Sequence, residues 1–224
     1  MAIYLFALFC LALAAMAATA SGDASEPGAL LDAPGIDKDT LARLTADATL
    51  LLVQEDAQGK LQMTTSGILV DRPPDVVFRT ITDYVNYPKF MPSMEECEIV
   101  ATHGDVKDVR FAVKFKFAIF SVTVDYVLRT TFKSNREITW KLLSSKGNKL
   151  RQSIGSWRLV PAGGGKQTAA FYSLYSDATA AVPGMSAVLK KEPTMETAIN
   201  VSTCIMVLRA VKNRSENPAW TRAR

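Results

Sequence analysis

The chain has 224 residues, of which 48% are hydrophobic and 21% charged, and a net charge of +4 at neutral pH. That length suits one domain with a sizeable core and is short for two. The basic residues are scattered among acidic ones rather than gathered in a run, so no nucleic-acid partner is expected.

No charged side chain occurs before Ser21. An apolar run from Ile3 to Met16 leads into Ala18-Thr19-Ala20, the small-x-small pattern of a signal cleavage site, and then into polar Ser21-Gly22-Asp23. The absence of Lys or Arg at the start departs from the usual signal. An uncleaved anchor is the alternative, but the run is shorter than the roughly 18–20 residues a membrane span needs. Cys10 has no small-residue lipobox before it. The reading is a signal peptide over residues 1–20, cleavage near Ala20 and export, to the periplasm given the bacterial look of the signal. Cleavage leaves Cys97 and Cys204. An oxidising compartment permits a bridge, but buried free cysteines serve well as small apolar residues, and free thiols are expected.

Ser21 to Asp37 is rich in Ala, Gly, Pro and Asp and reads as a linker with no core of its own. Asp39 to Asp47 has the composition of one short helix. Leu50–Val53 and Leu61–Val70 are strand-like, and the turn-rich Glu55–Lys60 between them is a hairpin signal. The first of these strands has no obvious place. After Val70 the chain turns on Asp71-Arg72-Pro73-Pro74, where prolines suit a turn and a first helical turn. Val76, Val77, Ile81 and Tyr84 recur at helical spacing. Asn86-Tyr87-Pro88 stops that helix, and Lys89–Met91 leaves room for one more turn before Pro92.

Beyond Pro92 the chain is nearly all strand until the last helix. Cys97–Ala101 leads to a turn at His103-Gly104-Asp105. Phe111, Val113, Phe115 and Phe117 alternate with Arg110, Lys114 and Lys116, the period of a sheet with one buried face. Val122, Val124, Tyr126, Leu128 and Phe132 alternate with Thr123, Asp125, Arg129 and Thr131 in the next strand. Ile138, Trp140 and Leu142 repeat the pattern, and Ala170, Tyr172 and Leu174 form the inner face of the last strand. Leu150–Val160 is ambiguous: Ile154 and Val160 argue for one parity, Trp157 and Leu159 for the other, and Gly155 could be a bulge. Short gaps between these strands make an antiparallel meander, whose apolar face must pack on something. The remaining large partner is a terminal helix from Glu192-Pro193-Thr194 to about Lys212. Its expected inner stripe is Ala198, Val201, Ile205 and Leu208, with Glu196, Asn200 and Thr203 opposite.

Signals for chemistry are weak. Gly163-Gly164-Gly165-Lys166-Gln167-Thr168 fails the phosphate-loop pattern at two positions and lies between strands. His103 is the sole histidine, and no Cys or His stands near it at metal-ligand spacing. No nucleophile motif precedes a helix, and no inward His, Asp or Glu is found on the strands. No catalytic residue, metal or cofactor is assigned. The inner face is apolar and aromatic but carries Tyr126, Thr130, Trp140 and Tyr172. Small helix residues opposite a concave sheet leave either a cavity or a core filled by Phe, Met and Trp, and composition does not choose between them.

The stretch from Pro74 to Pro92 resembles the opening of the StAR-related lipid transfer and birch-pollen-allergen-like (SRPBCC) superfamily, in its coenzyme Q-binding and polyketide cyclase/dehydrase branch. Pro74, Val77, Phe78, Thr82, Asp83, Tyr84, Tyr87, Pro88, Phe90 and Pro92 stand at the matching places, and the likeness extends over roughly Leu61 to Lys212. Gly155 and Trp157 match a family "GxW" pattern, which turns Trp157 inward. The resemblance implies an α+β helix-grip fold: a curved antiparallel sheet of about seven strands, two short helices after the first of them, and a long C-terminal helix on the concave face. It implies a domain over residues 48–214, after a linker at 21–47 and before a tail at 215–224. It also implies a cavity for a hydrophobic small molecule or lipid, quinone-like molecules included, with Ala178–Ser186 near the mouth. The wall would be Phe111, Val113, Phe115, Tyr126, Trp140, Trp157 and Tyr172 from the sheet, with Ala198, Val201, Ser202 and Ile205 from the helix. A ligand of that kind allows transient membrane contact. The alternatives are a polyketide cyclase or dehydratase using the same cavity, with Tyr126 and Tyr172 as its acid candidates, and an interaction module with a filled core.

Overall fold

The computed structural model describes residues 27–32, 37–46, 48–117, 120–182, 184–192 and 194–220. The expected signal segment and most of the linker lie outside them. One open antiparallel sheet of eight strands has the order β1-β2-β8-β7-β6-β5-β4-β3. The strands are β1 (Leu50–Glu55), β2 (Leu61–Val70), β3 (Met94–His103), β4 (Val106–Phe117), β5 (Phe120–Ser134), β6 (Glu137–Ser145), β7 (Gln152–Ala162) and β8 (Gln167–Asp177). The strand beyond the expected seven is β1, which adds to the sheet edge by pairing with β2.

The period-two pattern sets which face is which. Phe111 stands opposite Tyr126 and Val113 opposite Val124 in the β4–β5 ladder. On the other face Arg110 donates to Asp125, Glu96 and Glu98, and Arg129 grips Asp108 with two bonds of 2.8 Å. Ion pairs exposed on at least one side contribute modestly each, but a slip of one residue would exchange the charged and apolar faces, which fixes the register.

β7 pairs with β8 without interruption from Gln152 to Ala162, so Gly155 is not a bulge. Its role is close approach: a Cβ there would stand 2.1 Å from the Trp140 ring and 2.3 Å from the Ser173 carbonyl oxygen. Trp157 and Leu159 do face the main core. Ile154 and Val160 are apolar as well because their side of the sheet is also covered. Helix α1 (Lys38–Ala46) packs on β2, β7 and β8, and Leu31, Leu41, Val160, Ala169 and Phe171 make a second small core there. The linker reading is therefore corrected for its described part. Ala29–Asp32 forms a 3-10 turn, Leu31 is 2% exposed, and Asp32 pairs with Arg158.

Helix α2 (Pro74–Thr82) starts on proline and buries Val77 and Ile81. A 3-10 turn, Tyr84–Asn86, and α3 (Tyr87–Phe90) come next. Asn86 donates to both carboxylate oxygens of Asp83, and the Tyr87 hydroxyl donates to the Ile81 carbonyl, tying the two helices together. After β8 come α4 (Met185–Lys191) and the long α5 (Thr194–Glu216). α5 lies across β2 and β8 on the concave face and also touches α2, α3 and α4. The expected tail is part of this fold as far as Trp220: Ser215 is buried, and Trp220 packs against the main core.

Candidate functional site

Where α5 leaves β2 and spans the curve of the sheet, side chains do not fill the space. A cavity of about 220 Å³ lies between the concave face, α5, the α2–α3 turn and the α4 region. Phe111, Val113, Phe115, Tyr126, Trp140, Trp157 and Tyr172 all line it. The aromatic rungs brace one another. Trp140 stacks on Tyr172 with centroids 5.2 Å apart, Trp157 meets the same ring at 4.5 Å, and Phe111 stacks on Tyr126 at 5.5 Å. Tyr84 and Tyr87 close the α2–α3 end, with centroids 5.2 Å apart. Each such pair adds about 0.5–1.5 kcal/mol beyond area burial, so the rings that wall the cavity support one another.

The helical side of the wall differs from expectation. Ala198 and Ser202 are exposed, and Val201 and Ile205 are half-buried but do not line the cavity. The lining residues of α5 are Glu196, Ile199, Asn200, Thr203, Met206 and Val207, while Asn200, Cys204, Leu208, Val211 and Ser215 form the buried seam. Residues two apart on a helix lie about 200° apart around it, so a stripe through Ala198 cannot share a face with Asn200. Two causes misdirect the sequence pattern. Apolar residues occur around the whole helix, and both stripes pass through Leu208. The inner stripe also carries Asn200, which is buried for a specific reason. The β2–β8 ladder ends at Thr64 opposite Leu174, leaving Ser176 beyond it, and Asn200 bonds to the Ser176 backbone. The spacing Glu196, Asn200, Thr203, Val207 is the readable signal, masked because three of its members are polar.

Burial raises the hydroxyl pKa values of Tyr84, Tyr87, Tyr126 and Tyr172 well above the ordinary phenol range, so these groups stay protonated donors. Burial also pushes the Cys97 and Cys204 thiols up to about 12. Both cysteines are free and buried, and the Cys204 sulfur lies 3.2 Å from the Thr64 hydroxyl. Among the described residues no cluster of His, Cys, Asp and Glu could hold a metal ion. His103 is an exposed residue at the end of β3. Glu196 is the one acidic residue in the wall among the described residues. One of its oxygens lies 3.2 Å from the Tyr175 hydroxyl, which donates to it.

Residues 60–199 match the model of a family described as polyketide cyclase / dehydrase and lipid transport. No curated protein matches the chain. Several solved structures share the fold. The Zhui aromatase/cyclase from Streptomyces sp. R1128 is 19% identical, with a TM-score of 0.57 over 70% of this chain and 95% of its own. The lipid transfer and protein localization domain of human StarD13 is 14% identical, with a TM-score of 0.57 over 78% of this chain and 87% of its own. A STAR-related lipid transfer protein from Xanthomonas axonopodis is 15% identical, with a TM-score of 0.53 over 75% of this chain and 99% of its own. At these identities the likeness speaks for the fold.

Proposed function

The chain belongs to the polyketide cyclase/dehydrase and lipid-transport family, and on that premise we propose that it binds a hydrophobic small molecule or lipid between its sheet and α5. The observation that carries this reading is the cavity itself. A filled core would leave no such space, whereas about 220 Å³ walled mainly by apolar and aromatic side chains has the make-up of a ligand pocket, a little below the usual volume of about 300–1,000 Å³. The test is uptake of an uncharged polarity-sensitive dye, together with native mass spectrometry of gently purified protein. Saturable dye binding or a co-purified lipid supports the reading. Neither, in a folded protein, overturns it.

A second reading, a cyclase or dehydratase acting in the same cavity, draws on one observation. Tyr126 and Tyr172 line the cavity, and burial keeps their hydroxyls protonated, the state a donor to a ligand carbonyl needs. Turnover of a poly-ketone thioester that Tyr172→Phe abolishes would favour it. Binding of the thioester without turnover would remove it.

The address is a separate proposal: export, with cleavage after Ala20 and a mature chain starting at Ser21. Its support is the apolar run and the small-x-small site. N-terminal sequencing of protein from a soluble envelope fraction checks it, and retention of Met1 in a membrane fraction would overturn it.

A further inference from the structure

The cavity has a polar end, and its place is set by strand register. In the β7–β8 ladder Trp157 stands opposite Tyr172, then Gly155 opposite Leu174, then Ser153 opposite Ser176. Inner-face residues alternate, so Ser153 and Ser176 point into the same space as the aromatic rung, four residues away along the strands, about 14 Å at the usual rise. Ser153 is 5% exposed, and neither serine hydroxyl has a hydrogen-bond partner among the described residues. Asn200 ties α5 to the Ser176 backbone. Glu196, one helical turn earlier, is thereby carried to the same end, where it lines the cavity with both serines. Its Oε1 accepts from Tyr175, and Oε2 has no partner among the described residues. No Lys, Arg or His lines the cavity among those residues.

A carboxylate with a free oxygen, beside two hydroxyls and with no cation in the wall, is satisfied by a hydrogen-bond donor and repels an anion. The aromatic end carries the phenols of Tyr84, Tyr87, Tyr126 and Tyr172 and the Thr130 hydroxyl, but no charged side chain among the described residues, so a charge in the ligand is felt at the Glu196 end. We propose that the ligand is an amphiphile with a hydroxyl or amine head seated among Glu196, Ser153 and Ser176 and an apolar body reaching Trp157 and Tyr172. Amphiphiles with carboxylate or phosphate heads are selected against. This rests on the binding reading above and adds the orientation and the head-group chemistry to it.

Specificity of this kind is a difference of affinities, part of it repulsive. The test uses four straight-chain compounds of equal length, an alcohol, an amine, a carboxylate and a methyl ester, each displacing an uncharged dye. In the wild type the alcohol and amine should displace the dye about tenfold or more better than the carboxylate, since juxtaposed like charges are costly. Glu196→Gln keeps the shape and an acceptor for Tyr175 while removing the charge. It should bring the carboxylate close to the alcohol and leave the ester unchanged. Ser153→Ala keeps the charge and should keep the discrimination against the carboxylate. Equal displacement by alcohol and carboxylate in the wild type, or an order that Glu196→Gln does not alter, overturns the inference while ester binding preserves the binding reading. Failure of the dye and all four compounds to bind overturns both.

Discussion

Asn200 on α5 completes the unpaired end of β8 at Ser176: its Oδ1 accepts the Ser176 N–H at 2.8 Å, and its Nδ2 donates to the Ser176 carbonyl at 3.1 Å. The same Nδ2 reaches the Glu196 carbonyl at 3.1 Å. One side-chain amide thus does what a further strand residue would do, and it sets the rotation of the helix above the cavity. Asn200→Asp keeps the acceptor but loses both donors and puts a charge against two carbonyl oxygens. Buried groups left unpaired cost about 1–3 kcal/mol each, so a loss of ~2–5 kcal/mol and a clear fall in Tm are expected by thermal denaturation. Ser202→Asp, on the exposed face, should stay within about 0.5 kcal/mol. Equal losses would show that the helix face is misassigned.

Gly155→Ala should be severe although it adds a single methyl group. The new Cβ meets both the Trp140 ring and the Ser173 carbonyl oxygen well inside contact distance. Overpacking of this kind costs about 3 kcal/mol or more. Trp140→Phe in the same chain should restore only part of the stability, because the backbone contact remains. Chemical denaturation midpoints of the single and double variants decide it.

Filling the cavity should separate binding from stability. Thr203 lines the space, so Thr203→Phe places its ring where there is room and should leave Tm within a few degrees while lowering dye affinity severalfold. Ala198→Phe places the same ring on the exposed face and should change neither. A loss of dye binding in Ala198→Phe alone would move the site to the other side of the helix.

Acid stability should depend on the outer-face ion pairs. Hydrogen bonds from Arg129, Arg110 and Arg158 hold the carboxyls of Asp108, Asp125 and Asp32 below the ordinary range. A carboxyl whose pKa is lower when folded contributes stability above its unfolded pKa, about 3.9, and that contribution is lost as pH falls through the folded value. Tm should therefore drop below about pH 4, and the drop should be shallower in Asp108→Asn with Asp125→Asn. An unchanged acid limb would show that these pairs add nothing to folding.

Both thiols should be inert in the folded protein. With Cys97 and Cys204 buried and titrating at about 12, almost no thiolate exists near neutral pH, and thiolate is the reactive form. Iodoacetamide at pH 8 should label neither until denaturant is added. Rapid labelling of the native protein would contradict the burial of these side chains.

The sheet was legible because its signal is local. A period of two in β4, β5, β6 and β8 names the buried face without knowledge of any neighbour, and Pro74, Tyr87 and Pro88 mark the helices after β2 by their own backbone limits. Those same strands supplied the sheet half of the cavity wall from Phe111 to Tyr172, except Trp157 in β7, whose inward direction came from the family pattern and not from periodicity. Three things needed the tertiary structure, each because its cause lies far along the chain. Val160 and Phe171 face outward yet are apolar, since Leu31 and Leu41 cover them from the N-terminal segment. Gly155 is required by a tryptophan one strand away. The rotation of α5 is set by an asparagine that completes the unpaired end of β8, a polar demand that outweighs the apolar stripe through Ala198 and Ile205. A helix whose apolar residues are spread around all its sides carries no preferred face of its own, so the residues at the polar end of the cavity became readable only when Asn200 was seen against Ser176.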